Sequence, residues 1–192
     1  SKGGRAPSAF MRTALDLYAN IRPAKTRPGV PSAVDNMDLV FARENTEGFY
    51  ADRSMHLGNG EMMVTEDVAI AIRKITREAS RKIADAAFKL ALQRRKKVTI
   101  VTKRNVLKMT DGLFHDTVRE VGKHYPDVEV DDVIIDAMSA LMVRPPEAFD
   151  VVSTYNTYAV ILFALRTARA VWLGLRRHTR ARHAHYLRPR GA

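Results

Sequence analysis

The sequence predicts an α/β protein built on a mostly parallel sheet. Short β-branched runs such as KKVTIVTK alternate along the chain with helix-period stretches long enough to serve as crossover connections. At 192 residues the chain fits one domain, or one plus part of another, and can bury a sizeable core. Apart from a biased C-terminal segment, neither internal repeats nor low-complexity tracts interrupt the alternation.

The elements follow in order. ANIRPAKTRPG sets Arg22 beside Pro23 and reads as extended, because a residue before proline is driven out of the helical region. MDLVFA is a strand that runs into RENTEGFY, and a loop or hairpin follows around HLGNGEMM. Residues 66–94 are predicted as one long helix. Val68, Ile72, Ile75, Ala79, Ile83, Ala86 and Leu90 recur there at spacings of three and four. Thr65 caps its start, Glu66 and Asp67 occupy the first turn, and Arg94 to Lys97 close it, so the charges oppose the macrodipole at both ends. KKVTIVTK is then a buried strand, and TDGLFHDTVREVGKHYPD a second helix stopped by Pro126. VEVDDVIIDA is a longer strand, followed by a short helix and by Pro145 and Pro146. FDVVSTYN is the last strand.

The net charge of +11 is unevenly spread. From Ala159 to Ala192 there are eight Arg and no Lys, Asp or Glu. Of 32 basic residues that leaves 24 for the rest, against all 21 acidic ones, a body charge of +3. A uniformly basic chain would point to nucleic acid or an anionic membrane; here only the tail does. The absence of cysteine excludes disulfides and thiolate chemistry and favours a cytoplasmic setting. The N-terminal SKGGRAPSAFMRTALDLY lacks the apolar stretch of a secretory signal, and no run of about 18 apolar residues predicts a membrane span.

Four polar clusters fall where strands end, which is where open α/β sheets place ligands. They are Arg22; Arg43, Glu44, Asn45 and Glu47 with Tyr50; Lys103 with Asn105; and Asp136. Alone, Arg22 reads as a solvated turn residue and Asp136 as a helix cap. Together they suit a ligand. Arg12, Arg22 and Arg43 can hold carboxylates through bidentate hydrogen bonds. Asp136 is a hard-cation ligand type. Tyr50 and Lys103 can carry protons when nearby positive charge lowers their pKa values. Such a set describes a site for a di- or tricarboxylic acid with a divalent metal.

LDLYANIRPAKTRPG, RENTEGFYA, VTIVTKRNVLKMTDGLF, PDVEVDDVIIDAM and FDVVSTYN come in the order and spacing of the β-decarboxylating dehydrogenases. The chain thus resembles, over residues 8–158, the family of isopropylmalate, isocitrate, homoisocitrate and tartrate dehydrogenases. The resemblance implies the isopropylmalate dehydrogenase-like fold, mainly its substrate and dimerisation domain, with most of the nucleotide-binding domain missing. Residues 1–158 form that partial domain and 159–192 an Arg-rich divergent tail. Family members oxidise a 2-hydroxy acid at C2 with NAD or NADP and lose the C3 carboxylate as carbon dioxide. A Mg²⁺ or Mn²⁺ ion stabilises the enolate. By motif, Arg12, Arg22 and Arg43 grip the substrate carboxylates and Asn105 lies near substrate and nicotinamide. Tyr50 protonates the enol, Lys103 serves as base for the C2 hydroxyl, and Asp136 is a metal ligand. The resemblance further implies a homodimer in which Lys103 and Asp136 reach the partner's site. The segments 66–94 and 137–143 are then interface elements, and ADRSMHLGNGEMM is the dimer arm.

Two departures stand out. Nothing like the family's opening Gly-Asp-Gly-Ile-Gly-Pro turn precedes Ser1. After Asn156, the two aspartates that complete the family's metal site are replaced by Val160 and Ala164, while Ile161 and Leu162 keep the register. Three readings follow. The first is a dehydrogenase with NAD as the expected cofactor and a truncated or altered end, the tail's bias being what a shifted reading frame in a GC-rich gene produces. The second is a non-catalytic subunit that keeps the dimer surface. The third is a binder of nucleic acid or anionic surfaces, acting through a basic amphipathic tail around Trp172, Leu173 and Leu175. In the family, substrate choice lies just before the first arginine, here Ser8, Ala9, Phe10 and Met11. A short polar Ser8 beside apolar Phe10 fits neither an isocitrate nor an isopropylmalate pattern.

Overall fold

The computed structural model describes residues 11–170 other than 13, 27–28, 30–35, 50–55, 57, 59 and 143–147, with the backbone alone for 167–170. Tyr50, Ser8 to Phe10, Pro145, Pro146 and the tail beyond 170 therefore lie outside the described residues. The elements are β1 (Ala19–Lys25), β2 (Asp38–Glu44), β3 (Glu61–Thr65), β4 (Val68–Ala71), α1 (Arg77–Leu92), β5 (Lys97–Thr102), α2 (Thr110–Gly122), β6 (Glu129–Ile134), α3 (Ile135–Leu141), β7 (Val151–Thr154) and α4 (Asn156–Ala170).

Five strands form one sheet in the order β1-β2-β7-β5-β6. β2, β7, β5 and β6 run parallel, and β1 pairs antiparallel with β2 at the edge. The expected α/β class with a mostly parallel sheet is thus realised. Helices cover both faces, so the central strands must be apolar on both sides. Successive residues alternate between two cores. Val98 and Ile100 of β5 and Val151 of β7 meet Ile83, Ala87, Phe88, Phe114 and Val118 of α1 and α2. Val101, Val152, Leu39 and Phe41 meet Met138, Met142 and Leu162 on the α3 and α4 side. Gly122 ends α2 where it passes α1 closely: a Cβ there would come within 2.9 Å of Phe88 Cζ, so only glycine lets the two helices approach.

Residues 66–94 are not one helix. Glu61–Thr65 and Val68–Ala71 pair as an antiparallel hairpin, with Thr65 to Asp67 in its turn, and the helix starts at Arg77. Val68 and Ile72 are four apart and so satisfy a helical stripe, yet with Ile70 they also alternate at period two. Pairing with Glu61–Thr65 decides for a strand, which the β-branched side chains suit. The true cap is Thr76, in extended backbone at φ −118° and ψ 152°, whose hydroxyl accepts from Ala79 N–H at 3.2 Å. Thr76→Ala is expected to cost about 1 kcal/mol of stability. Thr65→Ala, in an exposed turn, is expected to cost less than about 0.5 kcal/mol. Urea denaturation of the two variants checks this; equal losses would restore the longer helix.

The apolar face of α1 is consumed inside the chain, through Ile83, Ala84, Ala87, Phe88 and Ala91. Exposed apolar surface lies elsewhere. In the hairpin, Met62, Met63, Val64, Val68 and Ile70 are all exposed, as are Val106 and Met109 after β5. No helix among the described residues is long and apolar enough to cross a membrane.

Candidate functional site

The four parallel strands end on one edge of the sheet, and the segments leaving that edge carry most of the polar residues singled out above. Arg43 is the penultimate residue of β2, Lys103 follows β5, Asp136 is the second residue of α3 after β6, and Asn156 opens α4 after β7.

Arg43 is 4% exposed and donates through Nε to Asn156 Oδ1 at 3.2 Å; its Nη2 reaches the same oxygen. A guanidinium can only donate, so the amide oxygen of Asn156 must face it and the amide nitrogen must face away. That Nδ2 is buried without a hydrogen-bond partner among the described residues. Gly48 in the loop after β2 has φ +86°, a conformation that favours glycine, and a Cβ added there would lie 3.7 Å from the Asn156 Cβ, an ordinary contact. Arg22, on β1, donates to Asn20 Oδ1 at 3.0 Å and lies 5.1 Å over the Phe163 ring of α4. Burial, and then the charge of Arg12, lower the Arg22 pKa. Arg12 itself borders a cavity of about 290 Å³ shared with Asp16, Tyr18, Asn45 and Lys82. Arg22 and Arg43 thus lie on the paired strands β1 and β2, and Arg12 lines the neighbouring cavity.

Lys103 and Asp136 form the other end. Their Nζ–Oδ1 distance is 2.7 Å, and the hydrogen bond from Lys103 holds the Asp136 carboxyl below its ordinary range. Asn105 is exposed in the turn after Lys103. Tyr50 falls outside the described residues.

Three residues grouped with the ligand cluster have internal roles instead. Glu44 accepts from Thr46 N–H and hydroxyl, both at 2.6 Å, and from Glu47 N–H at 3.0 Å, which fixes the turn. Burial raises its pKa, and those donors offset part of the rise. Glu47 accepts from Thr76 N–H at 2.8 Å and hydroxyl at 2.7 Å, pinning the loop to the start of α1. Asn45 donates to Leu17 O at 2.8 Å.

Sequence reasoning missed Arg73 and Asp111. Asp111 is fully buried and pairs with Arg73, whose side chain is 9% exposed. Its Oδ2 also accepts Lys103 N–H at 2.6 Å and the Tyr158 hydroxyl at 3.1 Å. Arg73 lies 4.8 Å from the Tyr155 ring, 5.2 Å from Tyr158 and 5.9 Å from Phe49. One buried ion pair therefore ties together the loops after β2, β5 and β7. Asp111 lies in the first turn of α2, where an acid needs no further reason, and Arg73 fell inside the helix predicted over 66–94.

The donors do not fit a hard divalent cation, which takes six or more oxygens. Among the described residues no three His, Cys, Asp or Glu side chains come together in a way that could hold a metal. Asp136 is already matched by Lys103, and Val160 and Ala164, one turn apart on α4, offer only methyl groups.

Residues 3–175 match the family model described as isocitrate/isopropylmalate dehydrogenase. The chain is 45% identical over 167 residues to an isocitrate/homoisocitrate dehydrogenase of Thermus thermophilus, covering 86% of this chain and 47% of that one. It is 44% identical over 152 residues to a 3-isopropylmalate dehydrogenase of Sulfurisphaera tokodaii, covering 79% and 42%. The crystal structure of isocitrate dehydrogenase from Methylococcus capsulatus superposes with a TM-score of 0.78 at 42% identity, over 88% of this chain and 50% of the other. The chain therefore spans about half the length of these proteins.

Proposed function

Because the chain belongs to the isocitrate/isopropylmalate dehydrogenase family, we propose that it is the substrate-binding and dimerisation portion of a β-decarboxylating dehydrogenase. Its ligand is a malate-type 2-hydroxy acid of the 3-isopropylmalate or isocitrate class. NAD, or NADP in its place, would supply the hydride acceptor in the assembled enzyme. The observation that carries this reading is the buried Arg43–Asn156 pair beside Arg22, on the same sheet edge as Lys103 and Asp136. In the proposed roles Arg12, Arg22 and Arg43 hold the carboxylates and Asn105 lies beside substrate. Lys103 takes the C2 hydroxyl proton and Tyr50 returns a proton to the enol. A homodimer with sites shared across the interface suits the exposed apolar hairpin β3–β4 and the exposed Val106 and Met109 next to Lys103.

A second reading is favoured by one observation. With Val160 and Ala164 on the face of α4 where the family carries its metal-binding aspartates, the chain would act as a non-catalytic subunit that keeps the dimer surface. Expected, then, is no NADH formation by the purified chain with isocitrate or 3-isopropylmalate, NAD and Mn²⁺, read by NADH absorbance. Measurable turnover would sink the non-catalytic reading and leave the dehydrogenase.

A further inference from the structure

We propose that this chain takes its polycarboxylate ligand without a divalent cation. The proposal deepens the carboxylate-binding reading above and rests on it.

The charges at the strand ends are arranged for an anion alone. Burial already disfavours the charge on Arg22, and the nearby charge of Arg12 adds to that, a cost that a bound carboxylate relieves and a bound metal ion would increase. Arg43 can only donate, and it already occupies the one acceptor that Asn156 has to offer. What remains on Asn156 is a buried N–H pair with no protein acceptor among the described residues. Asn156 is itself fully buried, and with its oxygen taken by Arg43 it has no acceptor left to offer a cation.

The opposite half of a metal site is lacking. A hard cation would need carboxylates on α4, but positions 160 and 164 carry Val and Ala. Asp136 is engaged by Lys103 at 2.7 Å, so recruiting it would separate an ion pair first. A bound metal ion would supply recognition of the ligand's 2-hydroxyl. Where arginines do the recognition, that hydroxyl contributes little. The ligand class is therefore a short di- or tricarboxylate, accepted with or without a hydroxyl group.

Calorimetric titration of the full chain tests this, with isocitrate and the hydroxyl-free tricarballylate as probes, each in EDTA and in excess Mn²⁺. The expected Kd values differ by less than about threefold between the two media, and by less than about threefold between the two acids. Binding should weaken at least about a hundredfold in Arg43→Ala; near-parental affinity after that change comes from elsewhere on a basic chain and overturns the proposal. Binding seen only with Mn²⁺ also overturns it, while leaving the carboxylate reading in place. Absence of binding for both acids in both media overturns the proposal and the reading beneath it together.

Discussion

Replacing Asp111 with alanine should lower stability by about 3–5 kcal/mol, the range found when one member of a buried ion pair is removed. At this chain length that corresponds to a fall in Tm of roughly 10 °C. The cost arises from what is left behind. Arg73, with its side chain 9% exposed and ringed by Tyr155 and Tyr158, would carry an unmatched charge out of water. Lys103 N–H would lose its acceptor at 2.6 Å. The Tyr158 hydroxyl, pushed up to about 12 mainly by burial, stays protonated at neutral pH and would lose its acceptor too. Thermal and urea melts of Asp111→Ala, Arg73→Met and the double variant Arg73→Met with Asp111→Leu form the test. The double variant should lose far less than the sum of the singles, because an apolar pair leaves no stranded charge. A single Asp111→Ala variant as stable as the parent would refute the role given to this pair.

Arg43→Ala is expected to weaken carboxylate binding by about two to three orders of magnitude, as fits truncation of a desolvated charged donor worth about 2–5 kcal/mol. Arg43→Lys should rescue little of it. A lysine places a single point charge where the guanidinium offers a planar fork, and Asn156 would lose the partner that orients its amide. The readout is isocitrate affinity by calorimetry, with circular dichroism confirming that the strands remain. Recovery of near-parental affinity by the lysine variant would show that charge alone, not geometry, makes the site.

The parallel strands were legible because burial on both faces leaves uninterrupted β-branched runs, as in KVTIVT and VVST. Polar residues that stop such runs, Arg43 and Lys103 among them, were legible for the same reason: water-seeking side chains directly after a buried strand need a purpose. The hairpin at 61–71 was not legible, since Val68 and Ile72 serve both periods until a partner strand chooses between them. Nor was the order β1-β2-β7-β5-β6, which depends on pairings between distant segments. The Arg73–Asp111 pair joins residues 38 positions apart, and nothing local to either announces the other. The start of α4 behaved differently again. The family resemblance weakens after Asn156, yet Ala159, Leu162 and Arg166 still recur at helical spacing and are buried, and Arg166 Nη1 donates to Met142 O at 2.6 Å. The first turns of the divergent segment are therefore packed into the fold rather than appended to it.

The hairpin β3–β4 has every residue exposed, with apolar side chains on both strands. Two strands in water barely hold together unaided, so a cover over them would add to their order. When the cover is a second copy of the chain, mass action enters every melting curve. The midpoint then rises with protein concentration, and a variant is comparable with its parent only when both are measured at the same total chain concentration.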